Sequence, residues 1–297
     1  MQDQGPAPEY LTVRELAALL RLKERKVYDL AAAGQVPCSR ATGKLLFPAA
    51  EIRAWIAASQ SGALPAATPA PPRPLIVLGS HDPLLDWAVR QSGSGLATYY
   101  DGSLDGVLRF AQGEGVMAGL HLRDAAGAGW NRAVAAEHAG ACNAALIGFA
   151  RRRRGFVTRP DGPAPVTCAQ LAGLRVVPRQ PGSGTAALFQ TLLTEAGVPV
   201  ETLAFSAVAR TEDDAVEALR RGEADVAFGL ESVAQSHGLV FHPVVDEEFA
   251  LLVDRAAWFA PPLQAFVRFC HSEEFAARAE AMGGYDLAPL AEVLWNA

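Results

Sequence analysis

Three short stretches place a hydroxyl beside glycine: Ser80 in GSHDP, Ser103 in DGSLDG, and Ser183 with Thr185 in RQPGSGT. Each is predicted to fall just before, or within the first turn of, a helix. Unpaired backbone N–H groups and the helix dipole favour negative charge there, and a glycine such as Gly184 lets the backbone approach closely. Hydroxyls and amides that converge in this way hold a small oxyanion without a full cationic partner. Arg179, just ahead of the third stretch, is expected either to touch that anion or to form an ion pair at the surface. His121 in GLHL follows an apolar run; it either points into the same site or packs as a hydrogen-bonded core residue. The backbone from Gly229 to Glu231, after ADVAF, is a weaker candidate.

A second set of residues suits a different polyanion. Between Val13 and Phe47 seven basic residues (Arg14, Arg21, Lys23, Arg25, Lys26, Arg40 and Lys44) face three acidic ones (Glu15, Glu24 and Asp29), a local balance of +4 in a chain whose net charge is -6. Lys23, Arg25, Lys26 and Tyr28 cluster at the start of a predicted helix suited to a major groove, and Arg40 and Lys44 lie on a predicted hairpin within reach of phosphates. The run Arg151 to Arg154 reads instead as a solvated approach to a strand, and Asp213 and Asp214 as water-facing.

Other chemistry finds little support. The chain has no Walker A, HExxH or GxSxG motif. GSGTAA at Gly182 to Ala187, with Glu201 about 20 residues further on, has the outline of a dinucleotide fingerprint, but nothing else of a nucleotide site accompanies it. Cys38, Cys142, Cys168 and Cys270 lie far apart without a CxxC pair, which predicts reduced thiols, no disulfide framework and no bound metal cation. No cofactor is expected. Neither a secretory signal nor an uncharged apolar stretch of about 18 residues is present, so the expectation is a cytoplasmic protein without a membrane partner.

The elements that must position these groups follow from periodicity. Thr12 and Glu15 fit a capping box, and Val13, Leu16, Ala17 and Leu20 then recur at helical spacing. Val27, Leu30 and Ala31 mark a second helix, with Gly34 as its stop. Cys38 to Phe47 predicts a hairpin turning near Gly43, and Ile52, Trp55 and Ile56 a third helix opened by Pro48. Residues 59–74, SQSGALPAATPAPPRP, form a Pro/Ala-rich linker between a domain over 1–58 and another over 75–297. Beyond it, apolar strands from Leu75, Gly115, Leu174, Ala224 and Phe249 alternate with helices. Their continuous hydrophobicity predicts mostly parallel, buried strands of an α/β domain.

Tyr10 to Ile56 resembles the MerR/excisionase-type winged helix-turn-helix family, through LTVRELAALL, VYDLAAAGQVP, the wing and EIRAWI. Lys23 and Glu24 depart from the Ser or Thr that commonly caps the second helix there. Leu75 to Asp286 resembles the binding-protein-like sensors related to periplasmic molybdate-binding proteins. The matching passages are GSHDPLLD, GSLDGVLRFAQGEGVMAGLHLRD, the pair Trp130 and Asn131, ARRRRGFV, RQPGSGTAALFQTLLTEAGV, GEADVAFGLESVAQSHGL and GYD. That resemblance implies a type II periplasmic-binding-protein-like fold of two α/β lobes, about 75–150 with 250–297 and about 155–245, joined by crossings near Phe149 to Val157 and Val244 to Leu252. It also implies molybdate or tungstate as an effector held by Ser80, Ser103, Ser183 and Thr185. Together the two halves imply a transcriptional regulator, not an enzyme, that binds double-stranded DNA as a homodimer. The alternatives are the same architecture sensing a small organic ligand, and a nucleotide-using enzyme with an accessory DNA-binding domain.

Overall fold

The computed structural model describes residues 9–40, 43–58, 72–124 and 129–297. The chain divides into two units between Pro71 and Pro72. Ala41 and Thr42 of the predicted hairpin, and Ser59 to Pro71 of the linker predicted over 59–74, lie outside the described residues.

The first unit runs β1 (Tyr10–Thr12), α1 (Val13–Leu20), α2 (Glu24–Ala32), β2 (Leu46–Pro48) and α3 (Ala49–Ala58). The Thr12 hydroxyl accepts from the Glu15 N–H, and the Glu15 carboxylate accepts from the Thr12 N–H at 2.7 Å, closing the capping box. Arg21 then turns left-handed at φ 53°, which costs a non-glycine residue about 1 kcal/mol. That single residue makes the tight turn into α2, whose N-cap Lys23 contributes no side-chain hydrogen bond. Leu16, Val27, Phe47 and Ile52 are wholly buried and form the shared core. The hairpin closes where Ser39 and Leu46 exchange hydrogen bonds of 2.7 and 2.9 Å. Its second strand also pairs antiparallel with β1, a partner too short to show any alternation in sequence.

The second unit begins at Pro72, three residues earlier than composition suggests, because Arg73 is anchored. Its guanidinium lies 4.3 Å from the Phe110 ring centroid, pairs with Asp254 at 3.2 Å, and donates to the carbonyls of Phe110 and Gly115. The chain continues through β3 (Ile76–Gly79), α4 (Pro83–Gln91), β4 (Ala97–Thr98), α5 (Ser103–Ala111), β5 (Met117–Leu120), α6 (Arg132–Ala139) and β6 (Ala144–Thr158). Then come β7 (Arg175–Val177), α7 (Gly184–Glu195), β8 (Ala204–Phe205), α8 (Glu212–Arg220), β9 (Val226–Leu230), α9 (Glu231–Ser236) and β10 (Val240–Asp254). The last elements are α10 (Arg255–Trp258), α11 (Pro261–Cys270), α12 (Glu273–Met282), β11 (Tyr285–Asp286) and β12 (Val293–Asn296).

The strands follow the order β4-β3-β5-β10-β6-β9-β7-β8, with β11 and β12 also paired to β6. Helices cover both faces at each end. In the first lobe, α4, α11 and α12 bury Leu84, Phe266 and Phe275 on one face, while α5 and α6 bury Phe110 and Ala135 on the other. In the second, Leu219 of α8 and Leu188 of α7 lie on opposite faces. The outer pairs are parallel, as continuous apolar runs predict. The Phe249 run is not: it belongs to β10, which is antiparallel to both β5 and β6. The two 15-residue strands β6 and β10 pair from Ala144 to Thr158 and carry the chain between lobes. The register between β10 and β6 shifts twice, at Val244 of β10 and at Phe149 of β6.

Candidate functional site

The cleft between the lobes has a volume of about 300 Å³, and its walls include Ser80, His121, Arg179, Ser183, Thr185 and Glu212. On the first lobe, Ser80 follows β3 and Ser103 opens α5. Their hydroxyls lie 2.7 Å apart, and Ser103 Oγ also accepts the His121 N–H at 3.1 Å. Two hydroxyls that share one hydrogen bond keep one hydrogen free, and Ser80, which lines the cleft while Ser103 is fully buried, is placed to present it. The start of α5 comes this close because Gly106 has no side chain; a Cβ there would overlap the Gly79 backbone.

On the second lobe, Ser183 caps α7. Its Oγ accepts from the Ala186 N–H at 3.2 Å and its carbonyl from the Ala187 N–H at 3.1 Å. The Gly184 and Thr185 N–H groups precede these bonds and remain as donors at the helix end. The lobes meet here: a Cβ on Gly184 would stand 2.7 Å from the His121 ring. Two ion pairs also span the lobes, Arg123 with Glu195 at 3.0 Å and Asp101 with Arg210 at 3.5 Å.

Beneath the cleft runs a chain of buried charges. Asp82 caps α4 and accepts from Arg152 Nη1 and the Tyr285 hydroxyl, each at 2.8 Å. Glu247 on β10 pairs with Arg152 at 2.5 Å and Arg154 at 3.0 Å, and its other oxygen lies 3.1 Å from His121 Nδ1. Arg154 reaches Glu212 Oε1 at 2.9 Å, which also stands 2.8 Å from Arg179 Nη1 and 3.4 Å from the Thr185 hydroxyl. Burial alone would raise both glutamates; Arg154 and Arg179 instead hold Glu212 at about 2, and Arg152 and Arg154 hold Glu247 well below its ordinary range. Burial outweighs Glu247 at His121 and lowers its affinity for a proton, with Arg152 and Arg154 acting the same way. The contact between His121 and ionised Glu247 is therefore a hydrogen bond from a neutral ring, with Nδ1 as donor.

The structure brings Ser80, His121, Arg179, Ser183 and Thr185 to the wall of one cleft; Ser103 lies wholly buried behind Ser80, and Gly184 abuts the His121 ring. Arg179 is ion-paired, but at 10% exposure its pair with Glu212 is inside the cleft and not on a surface. Gly229 to Glu231 lie off the cleft wall: Gly229 backs onto Glu212, and Glu231 pairs with Arg153 at 2.6 Å. The arginine run is solvated only in half. Arg151 and Arg153 are 50% and 53% exposed, whereas Arg152 and Arg154 are 1% exposed because alternate residues of β6 face opposite sides. Asp82, Arg152, Arg154, Glu212 and Glu247 escape sequence reasoning. Only Asp82, ahead of Pro83 as a helix cap, carries a local signal.

In the first unit, Tyr28, Arg40 and Lys44 share a groove of about 580 Å³ with Arg14, between α2 and the wing. Lys23, Arg25 and Lys26 are exposed around the start of α2 and lie outside that groove.

A family described as "PBP superfamily domain" matches residues 86–271, and one described as "helix-turn-helix domain" matches residues 10–60. The chain is 23% identical to the uncharacterized protein YvgK of Bacillus subtilis (strain 168) over 292 residues, 93% of this chain and 94% of that one. A phosphate-bound ABC transporter substrate-binding protein from Clostridium perfringens superposes with a TM-score of 0.51 at 14% identity. That match covers 73% of this chain and 98% of the Clostridium chain.

Proposed function

The chain belongs to the PBP superfamily, and from that premise we propose that it is a one-component transcriptional regulator whose second unit senses a small oxyanion. The observation that carries this reading is the convergence of Ser80, Ser183 and the amides opening α7 on a cleft whose buried charges are already balanced. Asp82, Glu247 and Glu212 face Arg152, Arg154 and Arg179. An anion there is met by hydroxyls and helix dipoles, as an oxyanion rich in acceptors requires.

Molybdate and tungstate are the first ligands to test, and the Clostridium protein adds phosphate as a comparison. Calorimetric titration of the full chain is expected to give heat with molybdate or tungstate; silence with all three at high protein concentration sinks the oxyanion reading. The groove around Tyr28, Arg40 and Lys44 would meet duplex DNA, with Lys23, Arg25 and Lys26 along the entering helix. A homodimer acting on DNA in the cytoplasm completes the proposal, with no catalytic step.

One observation favours an organic anion instead. His81 of the cleft also lines a second groove of about 680 Å³ bounded by Trp87, Arg90 and Arg278. A bare oxyanion leaves that space empty. A thermal-shift screen of small organic acids beside molybdate separates the two.

A further inference from the structure

We infer that His121 is the residue that couples anion binding to proton uptake: it takes a proton from solvent on Nε2 as the anion settles against α7. This rests on the oxyanion reading above.

The ring has its other edges committed. Nδ1 faces Glu247 at 3.1 Å, and one face lies 6.1 Å from the Phe249 ring centroid. Nε2 stands 2.8 Å from the Cβ position of Gly184, the residue whose amide is a free donor at the helix start, and none of the described residues shares a hydrogen bond with it. An anion held by the Gly184 and Thr185 amides would share the cleft wall with Nε2. With the Nδ1 hydrogen fixed by a carboxylate, neutral His121 offers that anion a lone pair, which repels an acceptor-only oxyanion. A proton on Nε2 turns the repulsion into a charge-assisted hydrogen bond, and Glu247 supports the resulting imidazolium.

The surrounding charges leave this group to respond. Glu247 on β10 touches the ring, Arg152 and Arg154 on β6 act on it through their charges, and Arg179 and Glu212 line the same cleft. These are paired with one another, so the anion's charge arrives uncompensated. Burial and the two arginines disfavour the imidazolium before the anion arrives. The remaining titratable imidazole on the wall is His81, which lies edge-on to Tyr100 at 5.4 Å.

The test is titration of the full chain with molybdate or tungstate, which do not titrate near neutral pH, in buffers of different ionisation enthalpy. Coupling predicts binding heats that differ between buffers by close to one proton per anion, and affinity that weakens up to about tenfold from pH 7 to 8. His121→Gln, whose amide supplies an N–H at any pH, is expected to bind with no proton uptake and a flat pH profile. Nitrogen NMR of the wild-type imidazoles should show His121 Nε2 becoming protonated on anion addition, a readout that does not depend on the variant folding. Equal heats in all buffers, or an Nε2 that stays bare in the complex, overturns the coupling while leaving anion binding intact. Uptake that survives His121→Gln but vanishes in His81→Gln also overturns it. Absence of heat with every oxyanion overturns both readings.

Discussion

The imidazole of His121 and the first residue of α7, Gly184, touch across the interlobe cleft, with room for a hydrogen but not for a methyl group. Gly184→Ala should therefore prop the lobes apart while removing none of the anion donors. Overpacking of this kind costs about 1–3 kcal/mol, so anion affinity should fall by about five- to a hundredfold. Calorimetric titration measures the loss, and small-angle scattering should detect a more open second unit. Unchanged affinity would mean that closure at this point is not required.

Arg154 is the link between Glu247 and Glu212, and its removal leaves two buried carboxylates short of a partner. Breaking a buried pair from one side costs about 3–5 kcal/mol, far more than an exposed pair is worth. Arg154→Met should lower the unfolding free energy of the second unit by that amount, read from denaturant titration. Arg151→Met, whose pair with Asp286 is exposed on both sides, should change it by less than about 1 kcal/mol.

Acid stability should report the same chain of charges. Glu212 has a folded-state value depressed to about 2 from 4.5, so the stability it adds is fully present above 4.5 and is lost as pH falls from there toward 2. Glu247 is depressed in the same direction. Thermal unfolding followed between pH 5 and 2 should show a steep decline that Glu212→Gln makes shallower. An equal slope in that variant would show that other carboxylates dominate.

The pairs Arg123 with Glu195 and Asp101 with Arg210 span the lobes in solvent. Each is worth at most about 1 kcal/mol and is screened by salt. Asp101→Asn and Glu195→Gln should each weaken anion binding by no more than about fivefold at low salt. The difference from wild type should disappear in titrations at high salt.

At the first unit, Arg40→Ala and Lys44→Ala in the full chain should weaken DNA binding across sequences alike. Each should lower the slope of log affinity against log salt by about 0.9 for every phosphate that the side chain neutralises. A slope that does not move would remove those residues from the interface.

The hydroxyl-bearing turns were legible in sequence because their signals are local: Ser183 caps α7, and Ser103 opens α5, within a few residues of the glycines that betray the turn. The winged unit was legible for the same reason, through the Thr12 capping box and the stop at Gly34, where φ is +67°. What stayed hidden is long-range. Glu247 meets His121 across 126 positions and Asp82 meets Tyr285 across 203, and neither distance leaves a periodic trace. The arginine run misled because four like charges in a row resemble a solvated segment, whereas a strand sends alternate residues to opposite faces. Arg73 hid in a proline-rich context that composition assigns to the linker.

The two register shifts between β10 and β6 bracket Glu247, one lying between Pro243 and Val245 and the other between Phe249 and Ala250. The first skips Val244 on β10 and the second skips Phe149 on β6, so each long strand carries one extra residue where it can bend. A change in the angle between the lobes has to be absorbed along β6 and β10, and these bends are the softest places to absorb it. Between them lies the one carboxylate, among the described residues, that touches both the cleft histidine and the two buried arginines. Glu247 thus sits on the stretch that joins the lobes, where one carboxylate ties the cleft histidine to the buried arginines of β6.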